Sequence, residues 1–121
     1  YQLSRDHSLV QEKLRIGIYN RQQAQKDPQK NILVRTVGVE AEVEVDVFEY
    51  KYAKGDIMLL CSDGLHGKVL DQDIIKIVNE SIPNPLKTKE DELQQCTQKL
   101  IDAANKNGGN DNITALLIVV D

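Results

Sequence analysis

Two stretches of the chain are apolar almost without interruption: Ile57-Met58-Leu59-Leu60-Cys61, and residues 113–120, which run Ile-Thr-Ala-Leu-Leu-Ile-Val-Val. Continuous apolar runs of this length, bounded by turn formers, predict strands covered on both faces. Upstream, Val43, Val45 and Val47 alternate with Glu42, Glu44 and Asp46, the pattern of a strand with one buried and one wet face. The parity changes at Phe48, after which Tyr50 and Tyr52 are the large residues, so a bulge or twist is expected there. Ala53-Lys54-Gly55-Asp56 is then a short hairpin connection into residue 57. Residues 32–37 have the β-branched, apolar character of a further strand ended by Gly38, and residues 1–4 are also strand-like.

Helical spacing occupies the rest. Apolar positions over 9–16 predict a helix that stops at Gly17, and Asn20 caps a short polar helix over 21–26 that must end before Asp27-Pro28. Between the two apolar strands, Asp71 caps a helix with Ile74, Ile75, Val78 and Ile82 on one face, halted by Pro83 and Pro85. Thr88 and Asp91 form a capping box for a helix over 89–106 that buries Leu93, Thr97, Leu100, Ile101 and Ala104 and ends at Gly108-Gly109. The fold class is α+β: an antiparallel sheet with flanking helices on one face.

Composition narrows the function more than the fold. The 121 residues suffice for one domain with a core. Fifteen basic against 19 acidic residues, a net charge of −4 with no basic block, argue against nucleic acid or anionic membrane as partner. Neither a membrane-length apolar run nor a signal peptide is visible, and Cys61 and Cys96 lack metal or redox spacing, so a soluble cytoplasmic protein with reduced thiols is expected. The chain contains no repeat, low-complexity tract or linker. It begins at Tyr1 with strand-like sequence already under way, which suggests a segment of something longer.

The chemistry gathers at two acidic turns, Ser62-Asp63-Gly64-Leu65 after the first apolar strand and Gly108-Gly109-Asn110-Asp111-Asn112-Ile113-Thr114 before the second. Antiparallel pairing of those strands would bring Asp63 and Asp111 to one sheet edge. A hard dication such as magnesium or manganese takes oxygen ligands and keeps several waters, so two carboxylates from separate turns are enough to hold one. Gly64 allows a sharp backbone turn beside the first, and Gly108-Gly109 beside the second. The alternative is that both are ordinary turn sequences. Other polar residues have plainer explanations: His7 and Asp6 point to opposite faces of an extended chain, Arg35 suits a salt bridge across strands, and Ser62 lacks a histidine base.

These same residues carry a resemblance. Residues 56–65, with the pattern D-x-x-L-L-C-S-D-G-L, and Gly108 to Thr114, G-G-N-D-N-I-T, are similar to the two C-terminal motifs of the metal-dependent protein phosphatase 2C family. Residues 3–10, containing D-H-S-L, and 31–38, N-x-L-x-R-x-x-G, resemble two further motifs in the family's order, with flap helices at about 8–30 as in bacterial members. The resemblance covers essentially the whole chain. It implies an α-β-β-α sandwich of which residues 1–121 are the C-terminal portion, with a two-helix insertion at about 70–107.

It also implies hydrolysis of phosphoserine or phosphothreonine in proteins, opposing a serine/threonine kinase, by water held between two manganese or magnesium ions. Asp63 and Asp111 match the family's two C-terminal metal-binding aspartates; Asn112, Gly64 and His66 would support them. His66 departs from the small polar residue common there, and a solvated turn histidine is its plainer explanation. The family's bridging aspartate, phosphate-holding arginine and G-D-S-R segment have no counterpart here, so no catalytic residue is assigned. These residues alone should bind at most one ion, weakly, and be inactive. Three functions follow: part of a bacterial-type phosphatase, a non-catalytic half-domain or pseudophosphatase that binds a phosphoprotein or partner chain, or a structural fragment. Half a sandwich would also leave a sheet face open to self-association.

Overall fold

A computed structural model describes the backbone of residues 1–121 and the side chains of all but residues 21 and 25. Contacts divide the chain into two units, Tyr1–Tyr50 and Lys51–Asp121.

The C-terminal unit is built on strands β1, Ile57–Cys61, and β2, Ala115–Val119, paired antiparallel from Ile57 opposite Val119 to Cys61 opposite Ala115. Pairing continues past β1's start, where the Gly55 N–H donates to the Val120 carbonyl (2.7 Å) and the Val120 N–H to that of Asp56 (3.0 Å). The expected turn at 53–56 is present. Gly55 takes φ +89°, and the Asp56 carboxylate accepts the Ala53 N–H at 2.7 Å. Residues 43–52, expected to lie beside β1, are in no strand, and neither are residues 1–4. A strand needs a paired neighbour for its backbone groups, and among the described residues no strand pairs with 43–52.

Three α-helices accompany the pair among the described residues: the single turn α3, Asp63–His66, then α4, Asp71–Ser81, and α5, Glu90–Lys106. Leu65, Val69, Ile82, Cys96, Leu100, Ala104 and Leu117 form the core, with Ile57, Leu59, Cys61 and Ala115 packed against it from the sheet. The opposite sheet face is open. Leu60, Leu116 and Ile118 are 55%, 53% and 40% exposed, which corrects the expectation of strands covered on both faces. One helical layer covers one face, and alternation along each strand sends every second side chain away from it.

Helix boundaries differ by single residues. Leu70, not Asp71, is the N-cap of α4, and Asp71 contributes its charge within the first turn. The buried stripe of α4 uses Ile74, Ile77 and Val78 and continues to Ile82, while Ile75 is exposed. At about 100° per residue, Ile75 falls off the stripe and Ile77 falls on it. The capping interaction of α5 lies one residue later than expected: the Glu92 carboxylate accepts the Lys89 N–H at 2.9 Å, and the Thr88 hydroxyl donates instead to the Asn84 carbonyl at 3.0 Å. Cys96, on the buried side of α5, is a reduced thiol whose pKa is pushed up by burial.

In the N-terminal unit, α1 spans Leu9–Arg15 and α2 Arg21–Lys26. Ser8 caps α1 by accepting the Gln11 N–H at 3.2 Å. Asn20 and Gln23 cap α2 reciprocally, each side chain accepting the other's N–H at 2.9 Å. Gly17 stops α1 with φ +78°, as its position suggested. The strand expected over 32–37 reduces to one bridge, Leu33 with Ser8. Arg35 is tied to acidic residues as anticipated, although without strands: its guanidinium donates to Glu44 Oε2 and Asp46 Oδ1, both at 3.0 Å. His7 lies 2.9 Å from Asp46 Oδ2. Hydrogen bonds from His7 and then Arg35 hold the Asp46 carboxyl below its ordinary range.

Candidate metal centre

β1 runs directly into the first acidic turn and the second runs directly into β2, so their antiparallel register sets both turns at one end of the sheet. The pairing continues one step beyond Cys61 opposite Ala115, with the Ser62 N–H donating to the Thr114 carbonyl at 3.0 Å. The Ser62 hydroxyl then joins the turns a second time. It donates to the Asn112 carbonyl (3.1 Å) and accepts the Thr114 N–H (3.0 Å). Ser62 is the N-cap of α3, yet its side chain makes no capping bond to that helix. Its oxygen is turned across to the other segment.

Asp63 and Asp111 flank this junction: Asp63 follows Ser62, and Asp111 precedes Asn112. Both are exposed. Among the described residues no hydrogen bond or ion pair engages the Asp63 carboxylate. Asp111 Oδ1 accepts the backbone N–H of Asn112 at 2.7 Å, which sets the orientation of that carboxylate. The support expected of Asn112 thus comes from its main chain, which also receives the Ser62 hydroxyl.

Gly64 is required for a different reason from the one its turn position suggested. Its φ is not positive, and it lies buried in α3. A Cβ there would stand 2.2 Å from the Asn112 carbonyl oxygen and 3.3 Å from Ile113 Cγ1, so only glycine permits the two turns to pack backbone to backbone. Gly108 and Gly109 do use positive φ, +128° and +52°. They end α5 with N–H donations to the Asn105 and Ala104 carbonyls. The Asn107 side chain donates to the Lys68 carbonyl at 2.9 Å, fastening the end of α5 to the segment after α3. His66 is exposed at the last position of α3.

The sequence reading missed Ser62, Thr114 and Asn107 as the residues that fasten the site. For Ser62 a signal existed: a hydroxyl at the last strand position before an acidic turn is placed to bond the neighbouring strand's backbone. The donor set suits a hard divalent ion, being two carboxylates open to the water that such ions retain. Among the described residues, no group of three or more acidic, histidine or cysteine side chains gathers to hold a metal.

Comparison with known proteins agrees with this fold. A family model described as Stage II sporulation protein E (SpoIIE) matches residues 14–121. The serine/threonine phosphatase stp of Listeria monocytogenes is 43% identical over 120 residues, 99% of this chain and 44% of that protein. The solved serine/threonine phosphatase of S. agalactiae superposes with a TM-score of 0.84 at 35% identity, covering 100% of this chain and 46% of its own. The catalytic domain of the serine/threonine protein phosphatase PstP, described in complex with two manganese ions, superposes with a TM-score of 0.69 at 30% identity, covering 99% and 45%. The chain spans less than half the length of each. Matched by its family model and by these relatives along nearly all of its length, the chain belongs to the SpoIIE/phosphatase 2C-type family.

Proposed function

We propose that residues 1–121 are the C-terminal portion of a phosphatase 2C-like catalytic domain, with flap helices at about 8–30 and a two-helix insertion at about 70–107, in a protein that hydrolyses phosphoserine and phosphothreonine in other proteins. The observation that carries this reading is the fastening of the two acidic turns to each other through Ser62 and the glycine-only contact at Gly64. In this reading Asp63 and Asp111 offer carboxylate oxygens to a divalent ion, manganese or magnesium. Bound ions of this kind supply an activated water and offset charge on the phosphoryl group. Asn112 orients Asp111 through its N–H, Ser62 keeps the turns in register, and His66 stands beside the first ligand. The substrates are phosphoproteins made by an opposing serine/threonine kinase. A cytoplasmic setting is supported by two reduced thiols without disulfide or metal spacing. Among the described residues no helix is long and apolar enough to cross a membrane.

A second reading is favoured by one observation, that among the described residues no group of three or more acidic, histidine or cysteine side chains gathers to hold a metal. It makes the chain a non-catalytic half-domain, binding a phosphoprotein or completing another chain. Both readings are tested by assaying a phosphothreonine peptide with added manganese. The longer protein containing these residues should be active, lose about 10²-fold or more on Asp63→Ala or Asp111→Ala, and leave the isolated 121-residue chain inactive. Indifference of the longer protein to both substitutions would remove these aspartates from the site; its complete inactivity would favour the half-domain.

A further inference from the structure

The N-terminal unit contains a buried charge that the proposed chemistry does not use. Asp27 follows α2, is 8% exposed, and is the buried charged residue among those described. Its Oδ2 accepts the Tyr19 hydroxyl at 2.6 Å and Lys13 Nζ at 3.5 Å, and its Oδ1 accepts the Gln29 N–H at 2.7 Å. Lys13 Nζ also lies 4.9 Å from the centre of the Tyr19 ring. One carboxylate therefore gathers a residue of α1, one of the α1–α2 connection and the backbone beyond α2.

We infer that Asp27 closes a polar clasp on which the paired folding of α1 and α2 depends. The helices cannot supply that stability themselves. They have seven and six residues, whereas isolated helices shorter than about 12–15 residues are marginal in water. Among the described residues their buried apolar side chains are Val10 and Ala24, too little surface to fix the pair. A buried carboxylate with three donors behaves differently, because charge-assisted hydrogen bonds are the strong ones and removing the anion weakens three part-buried bonds at once.

The clasp also lies inside a closed loop. At its base the Leu9 N–H donates to the Ile32 carbonyl (2.9 Å) and the Val34 N–H to the His7 carbonyl (2.8 Å). Opening the clasp lengthens the free segment between those bonds and loosens the base as well. The device is a strap, residues 9–34, whose closure rests on one anion.

Amide hydrogen exchange on the whole 121-residue chain tests this, comparing residues 9–34 with β1 and β2. Asp27→Asn, of the same shape without charge, should speed exchange over 9–34 by about tenfold or more and leave β1 and β2 within about twofold. Tyr19→Phe, which keeps the carboxylate, should act in the same direction to a smaller degree. The inference is overturned if wild-type residues 9–34 show no protection, if Asp27→Asn exchanges like wild type there, or if the substitution speeds both regions equally. Should Asp27→Asn unfold the unit outright, Tyr19→Phe decides: selective acceleration over 9–34 sustains the clasp, and wild-type exchange overturns it.

Discussion

A methyl group on Gly64 has nowhere to go, because the Asn112 carbonyl oxygen would lie 2.2 Å away and the carbonyl carbon 3.0 Å away, both of them backbone. Neither can swing aside as a flexible side chain would. Gly64→Ala must part the turns or displace α3, whose Leu65 is in the core, and overpacking of this kind costs about 1–3 kcal/mol. The denaturation midpoint of the chain should fall accordingly with the slope unchanged. A variant as stable as wild type would show that the two turns are not pressed together. Ser62 illustrates the same economy of position: its hydroxyl both donates and accepts across to the second turn, so the residue before Asp63 is committed to structure and not to nucleophilic chemistry.

Strands β1 and β2 carry apolar side chains on both faces, and the helices cover one. Leu60, Leu116 and Ile118 stand together in the register on the other, Leu60 opposite Leu116. A two-stranded sheet is marginal by itself and gains stability from further strands or a packed layer. The face also borders an edge strand, the usual template for association. The isolated chain is accordingly expected to bind a hydrophobic dye and to sediment with a concentration-dependent mass, and Leu116→Lys should reduce both. A compact monomer without dye binding would contradict this.

At the scale of the whole molecule, two carboxyls among the described residues are held below their ordinary value of 3.8, and both belong to the N-terminal unit: Asp27, through Tyr19 first and then the Gln29 N–H, and Asp46, through His7 first and then Arg35. A depressed folded-state pKa adds stability that is complete above the unfolded value and is lost as pH falls through the folded one. Protection of amides in residues 9–34 should therefore hold at neutral pH and decline below about pH 4. Hydrogen exchange at matched intrinsic rates measures this, and Asp27→Asn should flatten the dependence. Acid protection equal to that at neutral pH would mean that neither carboxyl supports the unit.

Much of this was legible along the chain. The spacing of apolar residues located α1, α4 and α5, and the Asn20 cap and Pro28 stop located the polar α2, each to within a residue or so, because helix caps and proline or glycine stops are local interactions. The two apolar runs located β1 and β2, and the motifs at Asp63 and Asp111 identified the family, since both turns adjoin those strands directly. Local sequence fell short on three points. Strand formation at 43–47 depends on a neighbour, so alternation in Val43, Val45 and Val47 signalled a potential surface and not a paired strand. Coverage of a sheet face depends on how many layers pack, so continuous apolarity in β1 and β2 overstated their burial. The fastening of the acidic turns by Ser62, the need for glycine at 64 and the burial of Asp27 all arise between residues distant in sequence or brought inward by packing, and such contacts exist only once the backbone has folded.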